Sequence, residues 1–163
     1  MKFALTLLTL VFTAPAAFAT DGCTLQLKDL KSAIDVSKRS VRSKSAVRVN
    51  RSDRTINQTI VLKDGQSVKY KAGGCEHYTY YFIYPKVAYT GKADKDLAKA
   101  RALLEKTPVI RTAAGEKETL LRGLADARDS EDGDSHSFPC GEASCSVSKS
   151  SAGEFLVSYS FPL

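Results

Sequence analysis

Residues 55–84 constrain the fold of this chain more than any other stretch. Thr-Ile-Asn-Gln-Thr-Ile-Val-Leu at 55–62 is rich in β-branched residues, with Ile56, Ile60 and Leu62 on one face of an extended strand. Lys63-Asp64-Gly65-Gln66 follows, and Asp-Gly between two apolar runs is a strong hairpin signal. Residues 67–71 alternate again, with Val68 and Tyr70 inward. Gly73-Gly74 breaks the run, and residues 76–84 form a third strand closed by Pro85. On that strand Tyr78, Tyr80, Phe82 and Tyr84 share one face, while His77, Thr79, Tyr81 and Ile83 share the other. Both faces are fairly apolar, which predicts a central strand covered on both sides.

The pattern then changes period. Asp94 is placed to cap a helix whose apolar face is Leu97, Ala100, Leu103 and Leu104, ending near Lys106 ahead of Pro108. A second helix is expected over 116–128, with Leu120, Leu121, Leu124 and Ala125 as its stripe. Residues 129–136, Asp-Ser-Glu-Asp-Gly-Asp-Ser-His, read as an acidic flexible loop. Residues 144–149 and 154–161 predict a closing hairpin around Ser151-Ala152-Gly153, with Phe155, Val157, Tyr159 and Phe161 inward. Residues 24–36 begin like a strand and continue like a short helix, and both readings stand. The expected class is α+β: an antiparallel β-sheet built from N-terminal and C-terminal hairpins with two inserted amphipathic helices.

The first nineteen residues carry a different message. Lys2, an apolar run over 3–12 and Ala17-Phe18-Ala19 have the layout of a cleaved export signal. The run is too short to span a bilayer, which takes about 20 apolar residues. The expected organisation is a signal peptide over 1–19 and one disulfide-stapled domain over 20–163. The bacterial style of the signal makes the periplasm the expected compartment, with secretion beyond it as the alternative. All four cysteines, Cys23, Cys75, Cys140 and Cys145, fall in the mature part, and an even number in an exported chain reads as two disulfides. Cys140–Cys145 would close a tight loop beside Pro139 and Gly141, and Cys23–Cys75 would tie the N-terminus to the body. A lipid anchor on Cys23 is a rival reading, and Asp21 ahead of it fits poorly.

The formal net charge is +6. Much of it sits in residues 38–54, where Lys38, Arg39, Arg42, Lys44, Arg48, Arg51 and Arg54 face one acid, Asp53. Val41, Val47 and Val49 interrupt the charges and suggest an edge strand. An exported basic protein meets little nucleic acid, so the expected partner is an acidic envelope protein or an anionic envelope polymer. Arg42, Arg48 and Arg51 are candidate contacts, because guanidinium groups grip carboxylates and phosphates bidentately. A charge run is more often a solvated surface, and that reading stands beside the first.

Catalytic signals are weak. Gly73-Gly74-Cys75-Glu76-His77-Tyr78 offers a histidine beside a carboxylate, but adjacent strand residues face opposite ways. The simpler reading is a bend pinned by a cysteine. A metal set of Cys75, His77, His136 and Cys140 matches no zinc spacing and needs reduced thiols. The acidic loop lacks the ligand order of an EF-hand. Ser146-Val-Ser-Lys149 matches the Ser-x-x-Lys nucleophile pattern, but it falls in a predicted strand, where that motif would need a helix. No cofactor motif is present. The expected function is therefore a small exported binding protein acting by surface contact, with an inhibitor or immunity-type protein against an envelope-acting enzyme as one form. His77 and Tyr81 join the arginines as candidate contacts. The alternatives are an envelope-polymer hydrolase using His77 or His136 with Asp132 or Asp134, and a structural component binding cell wall or lipid.

Overall fold

The computed structural model describes residues 30–75, 77–109, 114–127 and 132–162. The expected signal segment 1–19, Cys23, residues 24–29, Glu76 and residues 128–131 of the acidic region lie outside the described residues. The elements are β1 (Val41–Lys44), β2 (Arg48–Asn50), β3 (Thr55–Leu62), β4 (Ser67–Gly73), β5 (His77–Tyr84), α1 (Ala93–Lys106), α2 (Ala114–Asp126), β6 (Ser135–Phe138), β7 (Ser144–Lys149) and β8 (Phe155–Pro162). The strands form one eight-stranded antiparallel sheet ordered β1-β3-β4-β5-β8-β7-β6, with β2 also alongside β3. The class is α+β.

Two runs of consecutive strands, β3-β4-β5 and β6-β7-β8, meet where β5 pairs with β8. The chain leaves β5, forms both helices, re-enters the sheet at its far edge as β6 and works back to the centre. The strand period of two then sorts the residues. Ile56, Ile60, Val68, Tyr70, Phe82, Tyr84, Val147, Phe155 and Val157 point to one face and are buried. Leu97, Ala100 and Leu104 of α1, with Leu120 and Leu124 of α2, complete that core. Each fully buried Leu or Phe contributes roughly 1.5–3 kcal/mol. Leu30, Ala33 and Ile34 extend it; Ser32 Oγ bonds Gln58, and Ile34 bridges Val109.

Two close approaches explain glycines that composition alone leaves open. A Cβ on Gly73 would sit 2.2 Å from the Arg54 carbonyl oxygen, and one on Gly74 1.9 Å from that of His77. Both have φ near +140° (142° and 140°), a region other residues rarely enter. The Gly73-Gly74 segment is a backbone bend. In α2, a Cβ on Gly123 would fall 1.7 Å from the Pro139 carbonyl oxygen, so α2 lies hard against the β6–β7 connection. Cys140 and Cys145 close that connection as a disulfide, with Cα atoms 6.1 Å apart. Cys75 is disulfide-bonded too, and its expected partner, Cys23, lies outside the described residues.

Several expectations need correction. Ser135 and His136, expected at the end of the acidic loop, belong instead to the strand Ser135–Phe138, from which His136 and Phe138 point into the core. Asp94 does not cap α1: Lys92 occupies the N-cap, and Asp132 accepts the Ala93 N–H from across the fold at 3.0 Å. Ala125 is exposed, while Gly123 faces the sheet in its place. β5 is central, and the described helices cover only one of its faces. Its second face carries exposed His77, buried Thr79 and half-buried Tyr81 and Ile83. Among the described residues no helix is long and apolar enough to cross a membrane.

Candidate functional site

Two places concentrate polar side chains: a buried cluster behind the sheet and the uncovered face in front of it. The buried cluster joins the loop after β5, the first turn of α1, and β6. Asp96 and His136 are both fully buried, and His136 Nε2 lies 3.5 Å from Asp96 Oδ2. Asp96 accepts the backbone N–H of Thr90 at 3.1 and 3.0 Å, that of Gly91 at 2.8 Å, and the Lys99 ammonium at 3.3 Å. Burial works against ionisation of this carboxyl, but the bonds from Thr90, Lys99 and Gly91 outweigh it and hold it below the usual carboxylate range. Tyr89 Oη lies 2.9 Å from His136 Nε2 and donates to the Gly133 carbonyl at 2.7 Å. Burial, and then the charges of Asp96 and Asp134, push the Tyr89 hydroxyl up to about 12.

The sequence pointed to His136 with Asp132 or Asp134. Asp132 bridges Lys92 and receives the Ala93 N–H, contacts that, with a smaller through-space effect of His136, hold its carboxyl below the ordinary range. Asp134 is exposed and lies 3.9 Å from Lys149. Asp96, which the sequence did not single out, also lies against the ring. The set still does not form an acid–base relay, which needs the carboxylate on one ring nitrogen and the reacting hydroxyl on the other. Here Tyr89 and Asp96 approach the same nitrogen, and the ring is buried beyond reach of a substrate. The cluster ties three segments together. His77 stands on the opposite face of the sheet, exposed, with no side-chain hydrogen bond or ion pair among the described residues. The two histidines and the cysteines are thus not gathered into one site, and no group of three or more metal-ligating residues forms among the described residues.

The front face has a different character. Pairing register lines up Arg48, Asn57, Lys71, Tyr81, Ser158, Ser146 and Ser137 on successive strands β2, β3, β4, β5, β8, β7 and β6. Adjacent strands lie about 4.8 Å apart, so this row runs straight across the sheet. It changes chemistry along its length, from cations at one end through one aromatic ring to hydroxyls at the other. A hollow of about 340 Å³ lies at the cationic end, lined by Ser45, Arg48, Asn57, Thr59, Lys69 and Lys71 among others. A second, of about 330 Å³, lies at the hydroxyl end beside Thr79, Tyr81, Ser137, Ser146, Ser158 and Ser160. The small side chains there bond one another: Thr79 to Ser160 and Ser146 to Ser158, each at 2.8 Å.

Of the five contacts expected from sequence, Arg48 and Tyr81 share this row. His77 is on the same face, at the start of β5. Arg42 lies at the irregularity of β1, and Arg51 in the turn after β2, both exposed at the edge. Among the described residues no carboxylate lies within ion-pair distance of Arg42, Lys44, Arg48 or Arg51. Lys69 is paired with Glu154 at 2.5 Å, and Lys71 meets Asp53 at 3.9 Å. Lys71, Ser137 and Ser158 were not singled out by sequence and Ser146 entered only through the Ser-x-x-Lys pattern, although alternation in 67–71 and 144–149 marks Lys71 and Ser146 as outward.

Tyr81 stands apart. All seven tyrosines are described. Tyr70, Tyr78, Tyr80, Tyr84, Tyr89 and Tyr159 each stack on or tilt against another ring. Among the described residues Tyr81 makes no ring contact, cation–π contact or side-chain hydrogen bond. No protein-family model matches the chain, and no curated protein or solved structure matches it.

Proposed function

We propose that this chain is a small exported binding protein that acts by surface contact, and that the front face of its sheet is the contact surface. The observation that carries this reading is the single row from Arg48 to Ser137 on a face left open by the described helices. A sheet face that the described helices do not cover can present its side chains to a partner. Its cationic end, with Arg42 and Arg51 at the same edge, calls for a partner that presents carboxylates or phosphates. Export itself rests on the expected signal segment, and the Cys140–Cys145 disulfide is compatible with it. Binding by contact is favoured over hydrolysis because one histidine is sealed in the core and the other makes no side-chain hydrogen bond or ion pair among the described residues.

The test compares two sets of charge reversals with equal net charge. One carries Arg42→Glu, Arg48→Glu and Lys71→Glu at the front. The other carries Lys86→Glu, Lys95→Glu and Arg122→Glu, which are away from the front row. With polyglutamate as the anionic probe at low salt, the first set weakens binding by at least about tenfold, equivalent to roughly 1.4 kcal/mol. The second leaves most of it. Equal loss in both sets means a diffuse charge effect and removes the front face from the account.

A further inference from the structure

We propose that the front face binds an extended, carboxylate-bearing polysaccharide laid along the cross-strand row. The inference rests on the surface-contact reading above and names its ligand class. Three features of the row select this chemistry. Tyr81 offers a half-buried ring with no ring partner among the described residues, at the centre of the row. Such a ring suits the apolar C–H face of a sugar and keeps its hydroxyl at the wet edge. On one side of it stand Lys71 and, two strand spacings or about 9.6 Å further on, Arg48, a separation that matches charges carried on alternate sugar units. On the other side stand Ser158 and Ser146, whose hydroxyls bond each other and keep one O–H and free lone pairs between them for a polyol.

The same face argues against a protein as the occupant. Protein interfaces have an apolar centre and bury about 800 Å² on each partner. The exposed large apolar residues here, Val47 and Val49, are at the β2 edge and not in the row. Short serine side chains instead leave a shallow trough beside Tyr81, matched by the hollow at the cationic end. Two troughs in line with a ring between them suit a narrow chain crossing the strands. Adjacent positions in the row are about 4.8 Å apart, close to the advance of one pyranose unit along an extended glycan.

The experiment titrates the folded, oxidised protein with three probes: an oligogalacturonate, polyglutamate with the same number of carboxylates, and a neutral dextran oligomer. Wild type is expected to bind the oligogalacturonate more tightly than polyglutamate, and dextran weakly. Tyr81→Thr, which suits a strand, should weaken oligogalacturonate binding about tenfold and leave polyglutamate unchanged. Tyr81→Phe should retain most of the sugar affinity. Thermal midpoints of the variants check that each is folded. Equal affinity for both acidic probes, or sugar binding indifferent to Tyr81→Thr, overturns the glycan assignment. If polyglutamate binding still depends on Arg48 and Lys71 in that case, the surface reading stands without it. If neither acidic probe binds through Arg48 and Lys71, both fall.

Discussion

Replacing Tyr81 with Ala asks directly whether this ring serves the fold or something outside it. Tyr84 supplies the comparison, three residues along the same strand on the other face. Tyr84 is fully buried, its ring meets Phe155 with centroids 6.4 Å apart, and its hydroxyl bonds Thr107 Oγ1 at 2.9 Å. Burial pushes its hydroxyl pKa well above the ordinary tyrosine value, so it stays a neutral donor. Tyr84→Ala leaves a cavity and removes one of the two bonds of Thr107 Oγ1, which still donates to the Leu103 carbonyl, a loss of about 3–5 kcal/mol. Tyr81→Ala forfeits neither a ring contact nor a hydrogen bond. It loses part of a half-buried side chain and the strand preference of an aromatic, together about 1–2 kcal/mol. Urea denaturation with a common m-value reads both numbers. At about 4 °C per kcal/mol, thermal midpoints should fall by about 4–8 °C for Tyr81→Ala and by about 12–20 °C for Tyr84→Ala. A loss at Tyr81 equal to that at Tyr84 would refute the reasoning, because the ring would then belong to the core.

Three further outcomes follow from the packing. Gly123→Ala gains about 1 kcal/mol of helix propensity but drives a Cβ to 1.7 Å from the Pro139 oxygen, so the variant should be net destabilised by at least about 1–2 kcal/mol in urea melts. Replacing Cys140 and Cys145 together with Ser reopens a loop with a sequence separation of 5, which costs about 2 kcal/mol in the chain-entropy account and should lower the urea midpoint accordingly. Asp96 has a lowered carboxyl pKa in the fold, so its stabilising share is present above the unfolded value of about 3.9 and is lost as pH falls through the folded value. Stability measured from neutral pH downward should therefore decline below about pH 4, and Asp96→Asn, less stable at neutral pH, should show a shallower decline.

How much of this was legible depends on what each residue does. β3, β4, β5, β7 and β8 alternate around a buried apolar set, relaxed at Thr79 and Tyr80 of β5 and past Ser158 of β8, which is the condition under which period two can be read. β6 has two inward residues, His136 and Phe138, and two serines facing an open side, so its apolar signal is too short to separate from a loop. Asp96 was missed because apolar counting skips charges. It lies three residues after Ala93 and four before Ala100, on the buried stripe of α1, and a carboxylate there was the available sign of an internal partner. The second face of β5 was misread because Tyr81 and Ile83 count as apolar wherever they point. Alternation assigns residues to faces, but it does not say whether a face is covered. The register that aligns Arg48 with Ser137 spans five strand pairings beyond the first and is a property of the assembled sheet alone.

The most direct test of the account is a backbone amide shift map of the oxidised protein titrated with an oligogalacturonate at low salt. The account predicts perturbations concentrated along Arg48, Asn57, Lys71, Tyr81, Ser158 and Ser146, reversed by salt, with α1 and α2 quiet. Perturbations centred on the helices, on the loop around Asp132 and Asp134, or spread evenly over every exposed lysine and arginine would contradict it.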